Sequence, residues 1–523
     1  MEVTSAGKQA VLIWAAEGIQ VRRSQSFLRF VMPVGFPDGG SGHRFEQRCE
    51  ALAASENWVL LKGEARSFLP HVRMHLNTVS FGDQHPAGAT PPGDAVPLNP
   101  AAAFGYTFKH AGSGQFPLTP PGFSFRVPGT AHRVEMEVTG AQLGIFRMGV
   151  GFVSVEVTPK SGSLPDWLDA LHFLRFYRAR GEPLLPAGAA RSDGPGRLRF
   201  ENLLGPLLAE AALDDETYPF QASSGRTGHR RAGWVRELYV PGELLTYASL
   251  FVDGVPEAEQ RHCLYHVLNR FRATTESAPG EDYDTEQWCL PYQEGQQFLN
   301  SIQGSAFVAF DAAPTAFNSQ TLPAHLRSTY YVLFLLAQLQ RFALDQLSET
   351  VAWSTGRVLG EPERGQARRE LERVTALDGR LLDFTGRCYF VQVSQTEHHH
   401  RYYAQLREVN QIEDRYREVT DEVHALRAHA SSRVSVEQEQ TSLRVATALM
   451  VITCVLLPLQ VIEALFSAKL PELPGIRDLS PVLSAVTAGL VLLGAIAIAM
   501  LIIAGGRWTP HRRRRPRAPR RLA

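Results

Sequence analysis

The chain has 523 residues, of which 44% are hydrophobic and 20% are charged, and its 53 basic and 53 acidic side chains give a formal net charge of +0. This length allows two or three domains with a buried core, and the balanced charge gives no indication of a nucleic-acid-binding surface. The five cysteines are odd in number and include no Cys-x-x-Cys pair, which argues against a disulfide framework and against a cysteine zinc site.

The first 160 residues have mainly the pattern of strands. Short runs rich in β-branched and aromatic residues, separated by Gly and Pro, occur at 28–34, 58–61, 72–79 and 123–127. Farther along, 134–138 and 151–157 predict a hairpin. Its alternation of apolar and polar residues places Val134, Met136 and Val138 on one face.

Residues 160–320 mix helical and strand patterns. Apolar spacing predicts helices at 164–179, 203–213 and 256–272, and strands at 236–240 and 304–310. Two segments rich in Pro, Gly and Ala, 83–99 and 183–197, are predicted loops, and the second is a candidate boundary between two halves. We therefore expect residues 1–320 to form an α/β or α+β domain.

Residues 321–442 have the pattern of a helical stalk. Within the predicted helix 322–352, the apolar run 330–337 is too short to cross a membrane and predicts a buried packing helix. Farther on, apolar residues recur at alternating steps of three and four, which is the heptad seam of a coiled coil. The seam comprises Val409, Ile412, Tyr416, Val419, Val423, Leu426 and Ala430.

No Pro or Gly interrupts the chain between Arg387 and Leu457, which predicts one continuous helix from Arg387 to Phe466. A helix of that length needs partner helices along its seam. The arrangement that we favour is a stalk made from identical copies, and the alternative is a helical bundle within each chain.

Two long apolar runs near the C-terminus predict a transmembrane hairpin at 443–504. Residues 443–466 carry one charge near each end and 481–504 carry none, and either run can cross the roughly 30 Å hydrocarbon core as a helix. The tail 505–523 contains eight Arg and no acidic residue, which predicts a cytoplasmic tail. We therefore expect an inner-membrane protein with two lipid-facing spans and with both termini and the α/β domain in the cytoplasm.

Two local patterns near the predicted hairpin carry a resemblance to a known family. The stretch ATALMVITCVLLPLQVIEALF, with Pro458-Leu459 and Leu465-Phe466, is similar to the pore helix of the CorA-type magnesium transporter superfamily, and Pro471-Glu472-Leu473 is similar to the family's outer-loop Pro-Glu-Leu. The resemblance covers about the last 160 residues. It implies a homo-oligomer, five copies by family precedent, that moves Mg²⁺ or another divalent cation.

The sequence departs from the family at the outer mouth of the implied pore. Where the family has Gly-Met-Asn, this chain has Ser467, Ala468 and Lys469. A lysine offers donors but no acceptor to a hydrated cation, and a ring of lysines would repel a divalent ion unless Glu472 or Glu463 neutralised it. The alternative is that Lys469 points outward to the lipid interface. Ion selectivity is therefore left open.

On the family's plan, one face of the first span lines the pore. Its members recur at steps of three or four, with apolar Met450 and Leu457 able to gate by dewetting. The complete set is Ala446, Met450, Thr453, Leu457, Gln460 and Ala464. The alternative is that Thr453 and Gln460 form hydrogen bonds within a pair of helices.

Two further groups of residues are candidates for metal binding. Asp282, Asp284 and Glu286 gather hard oxygen ligands that suit Mg²⁺ or Ca²⁺, although a solvated loop explains the same composition. His398, His399 and His400 are consecutive in a predicted helix, so they point in different directions and cannot ligate one metal without partners.

The motifs of phosphate-binding loops, of serine hydrolases and of zinc proteases are not found, so no enzyme is predicted. The first hypothesis is a CorA-like homo-oligomeric membrane channel or transporter that is gated by its cytosolic domain. The second is a membrane-anchored sensor or effector, for example in phage defence or signalling, that uses the same scaffold without transport. In the first hypothesis the cytosolic domain senses a small-molecule ligand, and in the second it binds a nucleotide-like signal or a partner protein. Nucleic acid is not an expected partner in either.

Overall fold

The computed structural model describes residues 19–36, 42–55, 58–61, 68–75, 105–110, 122–128, 130–177, 236–275, 288–358 and 367–467, and the single residues 486, 489 and 494. The chain divides into two compact units. The first comprises Met1–Leu359 and Arg373–Leu426, and the second comprises Gly360–Glu372 and Arg427–Ala523.

The described strands of the first unit form one mixed sheet. They are β1 Gln20–Val21, β2 Phe27–Gly35, β3 Trp58–Leu60, β4 Gly105–His110, β5 Gly122–Arg126, β6 Arg133–Phe146, β7 Val150–Pro159, β8 Arg236–Glu237, β9 Leu245–Asp253, β10 Cys289–Gln293, β11 Gln296–Ser301 and β12 Gly304–Phe310. The main order is β10-β11-β12-β9-β2-β7-β6-β4-β3, and β1, β5 and β8 pair with β9, β6 and β2 respectively. Strands β9 and β12 run parallel, and β2 pairs antiparallel with both of its neighbours on the main path.

The described helices lie between and after these strands. They are α1 Gly42–Ala54, α2 Pro70–His75, α3 Leu164–Leu174, α4 Glu257–Asn269, α5 Leu322–Arg327, α6 Thr329–Val358, α7 Ala367–Arg387, α8 Glu397–Val409 and α9 Ile412–Ser467. A π-helical turn, Phe317–Thr321, precedes α5. The mixture of strands and helices confirms the α/β character that the sequence predicts for the N-terminal region.

Both faces of the central strands are covered by helices. On one face, Leu28 and Phe30 of β2 share a buried cluster with Trp167 of α3 and Val267 of α4. On the other face, Tyr247 of β9 lies 5.3 Å from Phe334 of α6 between ring centroids, and α6 also contacts β7. Because both faces are buried, every residue of β2 is buried, which explains its nearly continuous apolar sequence.

The predicted hairpin is confirmed. Strands β6 and β7 pair antiparallel around a tight turn at 147–149, in which Gly149 has a φ of 80° that favours glycine. Val134, Met136 and Val138 are all buried, as the alternation predicts. Most of the segment between the two predicted strands also belongs to β6 or β7, so the observed strands are longer than the predicted ones.

Two local predictions are wrong and one is confirmed. Residues 72–79 were expected to be a strand, but the described part lies in α2, which begins at Pro70, a residue suited to the first turn of a helix. The predicted helix 322–352 is interrupted at Ser328, between α5 and α6. The apolar run 330–337 is buried within α6 except for Val332, which confirms the packing helix. Segments 83–99, 183–197 and 203–213 lie outside the described residues.

The prediction of one continuous helix from Arg387 to Phe466 is wrong. Helix α7 ends at Arg387 and α8 begins only at Glu397, and a second break separates α8 from α9. At that break Gln411 has a left-handed φ of 53°, and the buried side chain of Asn410 donates a 2.7 Å hydrogen bond to the carbonyl of Leu406. The Asn side chain satisfies a helix-end carbonyl and allows the chain to turn without Pro or Gly.

The first part of the heptad seam packs within its own chain. Val419, Val423 and Leu426 of α9 are buried in the first unit. Tyr416 stacks on Tyr389 with 4.3 Å between ring centroids, and its hydroxyl lies 3.1 Å from that of Thr385 in α7. This part of the seam is therefore covered without a second copy, as in the alternative of a bundle within one chain.

The predicted pair of C-terminal transmembrane helices is wrong. Among the described residues, none of the helices combines the length and the apolar character that a membrane crossing needs. The described apolar residues after 443 form the C-terminal part of the 56-residue helix α9, where they follow a polar and charged stretch, and 481–504 lies almost wholly outside the described residues. The predicted inner-membrane location depended on these spans and is corrected with them.

Candidate functional site

The predicted pore residues that the structure describes lie on the C-terminal part of α9. Ala446, Met450, Thr453, Leu457 and Gln460 are all exposed. Ala464 and Ser467 belong to the same helix, but their side chains are outside the described residues, as are Ala468, Lys469 and Glu472. The candidate metal ligands Asp282, Asp284 and Glu286 are outside them as well.

Large apolar side chains are exposed over the same part of α9. Each leaves 50–60% of its surface accessible, which is unusual for so many apolar residues on one helix. They are Leu443, Val445, Leu449, Met450, Ile452, Leu456 and Leu457. The polar Thr453 within this stretch donates its hydroxyl to the carbonyl of Leu449, at 2.8 Å, so that its hydrogen bond is satisfied within its own helix.

The first unit contains a polar cavity of about 310 Å³ on the sheet face that α6 covers. Across the sheet, Arg29 of β2 is paired with Glu156 of β7, and Glu156 is paired with Gly140 of β6. The next row toward the open side runs from Ser154 through Gln142 to Lys109 of β4. Arg327, the last residue of α5, also lines the cavity.

One carboxylate at this cavity is shared by two arginines. Glu156 accepts a 2.5 Å hydrogen bond from Arg29 on Oε2, and on Oε1 it accepts 3.1 Å bonds from Arg327 and from the Thr139 hydroxyl. Arg29 is only 3% exposed, and its guanidinium lies 3.9 Å from the ring centroid of Tyr331. The arginine is thus held between an anion and an aromatic face.

These contacts keep the buried pair ionised. Burial by itself raises the pKa of Glu156, but the charges of Arg29 and Arg327 lower it, and the net shift is downward. Burial likewise lowers the pKa of Arg29, but the charge of Glu156 raises it, and the net shift is upward. Glu156 therefore remains a carboxylate and Arg29 a guanidinium at neutral pH.

The sequence predictions did not identify this cavity. A single Arg in the apolar run FLRFVMPV and a single Glu in GFVSVEV were the available signals, because a charge inside a fully buried strand needs a partner. Their pairing depends on β2 and β7 being neighbours, although Arg29 and Glu156 are 127 residues apart in sequence.

A second group of arginines has a structural role. Arg175, Arg270 and Arg341 donate to successive residues of the turn between β11 and β12, namely to the Gln303 side chain, the Ser301 hydroxyl and the Ile302 carbonyl. Burial and the charge of Arg175 together lower the pKa of Arg270 to about 9, and Tyr239 opposes the shift. The protein's own acceptors hold these arginines, so they anchor the turn.

Within the part of the chain that the structure describes, His, Cys, Asp and Glu side chains form no group of three or more that could hold a metal ion. His398 to His400 lie at the start of α8, where His399 is buried against Tyr330 with 4.9 Å between ring centroids. His399 is therefore a packing residue in this structure.

No family model and no curated protein matches the chain. Solved structures that are similar to it include the full-length CmaX protein, at 13% identity and a TM-score of 0.20, with 51% of this chain and 90% of that chain covered. They also include the CorA magnesium transporter from Methanocaldococcus jannaschii, at 11% identity and a TM-score of 0.21, with 53% and 94% covered.

Proposed function

We propose that the chain is a sensor that works as an assembly of identical copies. In this proposal the first unit, which contains the sheet and is called the sheet unit below, receives a small ligand, and the C-terminal part of α9 joins the copies. Helix α9 begins in the first unit and continues into the second, so one element belongs to both. The observation that carries the proposal is the exposed apolar surface of α9 after residue 442.

This surface has the pattern of two coiled-coil seams. The first seam, Leu443, Ala446, Met450, Thr453, Leu457 and Gln460, and the second seam, Val445, Leu449, Ile452 and Leu456, both advance by alternating steps of three and four. At 100° per residue the two seams are centred about 100° apart around the helix. A helix with two such seams can contact two neighbours at once, which suits a closed ring of copies better than a dimer.

The exposed surface is large enough to drive association. Burying a Leu, Val, Ile or Met side chain completely contributes about 1.5–3 kcal/mol. Seven side chains that are about half exposed therefore offer on the order of 7 kcal/mol per copy, before the entropy cost of association. Identical copies present the same seams in the same register, so they are the occupants that we propose.

Sedimentation velocity of the full chain over a concentration series tests the assembly. Met450→Ser with Leu457→Ser removes the first seam, and Leu449→Ser with Leu456→Ser removes the second. We expect wild type to sediment as a complex of three or more copies and each double variant to shift to smaller species, because either change leaves a neighbour contact incomplete.

Arg444→Gln is the matched control, because Arg444 is exposed on the side of α9 opposite both seams. Circular dichroism should show that all variants keep their helix content. Wild type that stays monomeric over the series, or double variants that keep the wild-type mass, would overturn the proposal.

Ion transport is the second candidate function. The first seam places Thr453 and Gln460 between apolar residues, which is the composition that the CorA resemblance implies for a pore face. A flux assay in lipid vesicles containing the purified full chain tests this candidate. Flux that Lys469→Asn raises or makes selective for divalent ions would support transport, and an absence of flux from both forms would favour the sensor alone.

A further inference from the structure

We propose that the cavity beside Arg29, Arg327 and Lys109 binds a phosphate group, either as inorganic phosphate or as part of a larger ligand. The inference deepens the sensor function proposed above, because it names the chemical class of the ligand that the sheet unit receives.

The charge of the described cavity lining favours an anion. It contains three cationic side chains and one carboxylate, so its formal charge is +2. Glu156 already accepts hydrogen bonds from Arg29, Arg327 and Thr139, so its oxygens are occupied by protein donors. A cavity with excess positive charge and a low-dielectric floor attracts oxyanions.

Two of the cations keep donors available for a ligand. Arg327 binds Glu156 through Nε, and among the described residues its two terminal nitrogens meet no acceptor. Lys109 also lines the cavity, is exposed, and forms no ion pair with the part of the chain that the structure describes. The planar guanidinium of Arg327 can therefore offer a pair of donors to one phosphate, and the ammonium group of Lys109 can add a third.

The floor of the cavity is positioned by an irregularity in the sheet. The pairing of β6 with β7 shifts register between Val138 and Gly140, which leaves Thr139 as an extra residue. Such a bulge bends its strand and redirects nearby side chains, and here the Thr139 hydroxyl reaches Glu156. A Cβ at Gly140 would meet nothing within 4 Å, so the space in front of the bulge is open.

The rigid part of the site is built before any ligand arrives. Arg29 is fully buried between Glu156 and Tyr331, and its Nη1 donates a 3.3 Å hydrogen bond to the carbonyl of Arg327. That bond ties the end of α5 to the central strand β2, so the Arg327 backbone is held at the cavity. Site preorganisation of this kind reduces the ordering cost of binding.

Isothermal titration calorimetry of the full chain with inorganic phosphate, pyrophosphate and glycerol phosphate tests the proposal. We expect binding that weakens as salt concentration rises, because the contacts are charge-assisted. Lys109→Gln and Arg327→Gln should each weaken it by about ten- to a hundredfold. Tighter binding of glycerol phosphate than of inorganic phosphate would indicate that the group belongs to a larger molecule, and the reverse order would indicate the free ion.

Lys160→Gln is the matched control, because Lys160 is an exposed lysine of the same unit that pairs with Glu135 away from the cavity. This control should bind as wild type does. Thermal unfolding should show that all three variants are folded. No measurable binding by wild type, or equal binding by Lys109→Gln and wild type, would overturn the site. Binding should persist in the Met450→Ser with Leu457→Ser variant, so a failure of assembly and a failure of this site are separate results.

Discussion

Replacing Glu156 by Gln should be the most damaging conservative change in the sheet unit. The amide keeps the shape of the carboxyl group but removes its charge, which leaves the guanidinium groups of Arg29 and Arg327 close together without their shared anion. Arg29 is 3% exposed and Glu156 is 12% exposed, so water in the cavity replaces only part of the lost interaction. Removing one member of a buried ion pair costs about 3–5 kcal/mol, and we expect a cost near the lower value because the introduced amide keeps one oxygen acceptor.

The neighbouring arginine provides a graded comparison. Arg327 is 31% exposed, and its loss leaves Glu156 still paired with Arg29. We therefore expect Arg327→Gln to cost about 1 kcal/mol or less. The double variant Arg29→Met with Glu156→Gln should be less destabilised than the sum of its single changes, because it removes both buried charges.

Urea denaturation followed by intrinsic tryptophan fluorescence, to which buried Trp167 contributes, measures these differences. The pKa of Glu156 is lower in the folded state than its ordinary value of 4.5, so its contribution is complete above that value and is lost as pH falls through the folded-state pKa. The difference in unfolding free energy between wild type and Glu156→Gln should therefore become smaller in acid. A difference in unfolding free energy below about 0.5 kcal/mol at neutral pH, or a difference that increases in acid, would refute the role of the ion pair.

Two further predictions concern the sheet and α8. Gly304→Ala should lower the unfolding free energy by on the order of 3 kcal/mol, because Gly304 has a φ of 142° and an added Cβ would collide with the carbonyl oxygen of Thr246. Thermal denaturation tests this prediction, with Gly379→Ala as the control. A Cβ at Gly379 in helix α7 meets nothing within 4 Å, so this change should be neutral or slightly stabilising. Equal effects of the two changes would contradict the close approach of β9 and β12. Burial, with the charges of His325 and His398, lowers the pKa of His399 to about 4, so folding stability should fall as pH drops from 6.5 toward 4, by about 3 kcal/mol from this residue. His399→Leu should flatten the stability profile measured by urea denaturation over this range, and an unchanged slope would show that His399 takes up protons in the folded state.

Local periodicity predicted the elements whose environment is uniform along their length. In 134–138 every second residue is buried, and in 330–337 nearly every residue is buried. Such regular patterns depend only on nearby residues, so β6 and α6 were recognisable without knowledge of their neighbours. The seam of α9 was recognisable for the same reason, although what covers it was not. Its N-terminal part packs against the chain's own residues, whereas large apolar side chains between Leu443 and Leu457 are exposed.

The breaks and the cavity depended on contacts between distant residues. Asn410 and Gln411 resemble ordinary helix residues, but the buried Asn410 side chain lies within hydrogen-bonding distance of Arg341, 69 residues away, as well as of its own helix end. The two apolar C-terminal runs predicted membrane spans because their composition suits contact with lipid. Composition does not distinguish lipid from another protein surface as the partner of an apolar run. The correction came from the helices among the described residues, which include most of the first run.

The sequence by itself determined the α/β character of the N-terminal region, the β6–β7 hairpin and the apolar repeat of α9, because each depends on residues within a few turns or strand repeats of one another. Only the tertiary structure decided that Arg29, Glu156 and Arg327 meet at one cavity. The physical reason is that these charges stabilise one another only when they lie within a few ångströms. Strand order and helix docking set that distance, and it cannot be derived from the number of residues between them in the sequence.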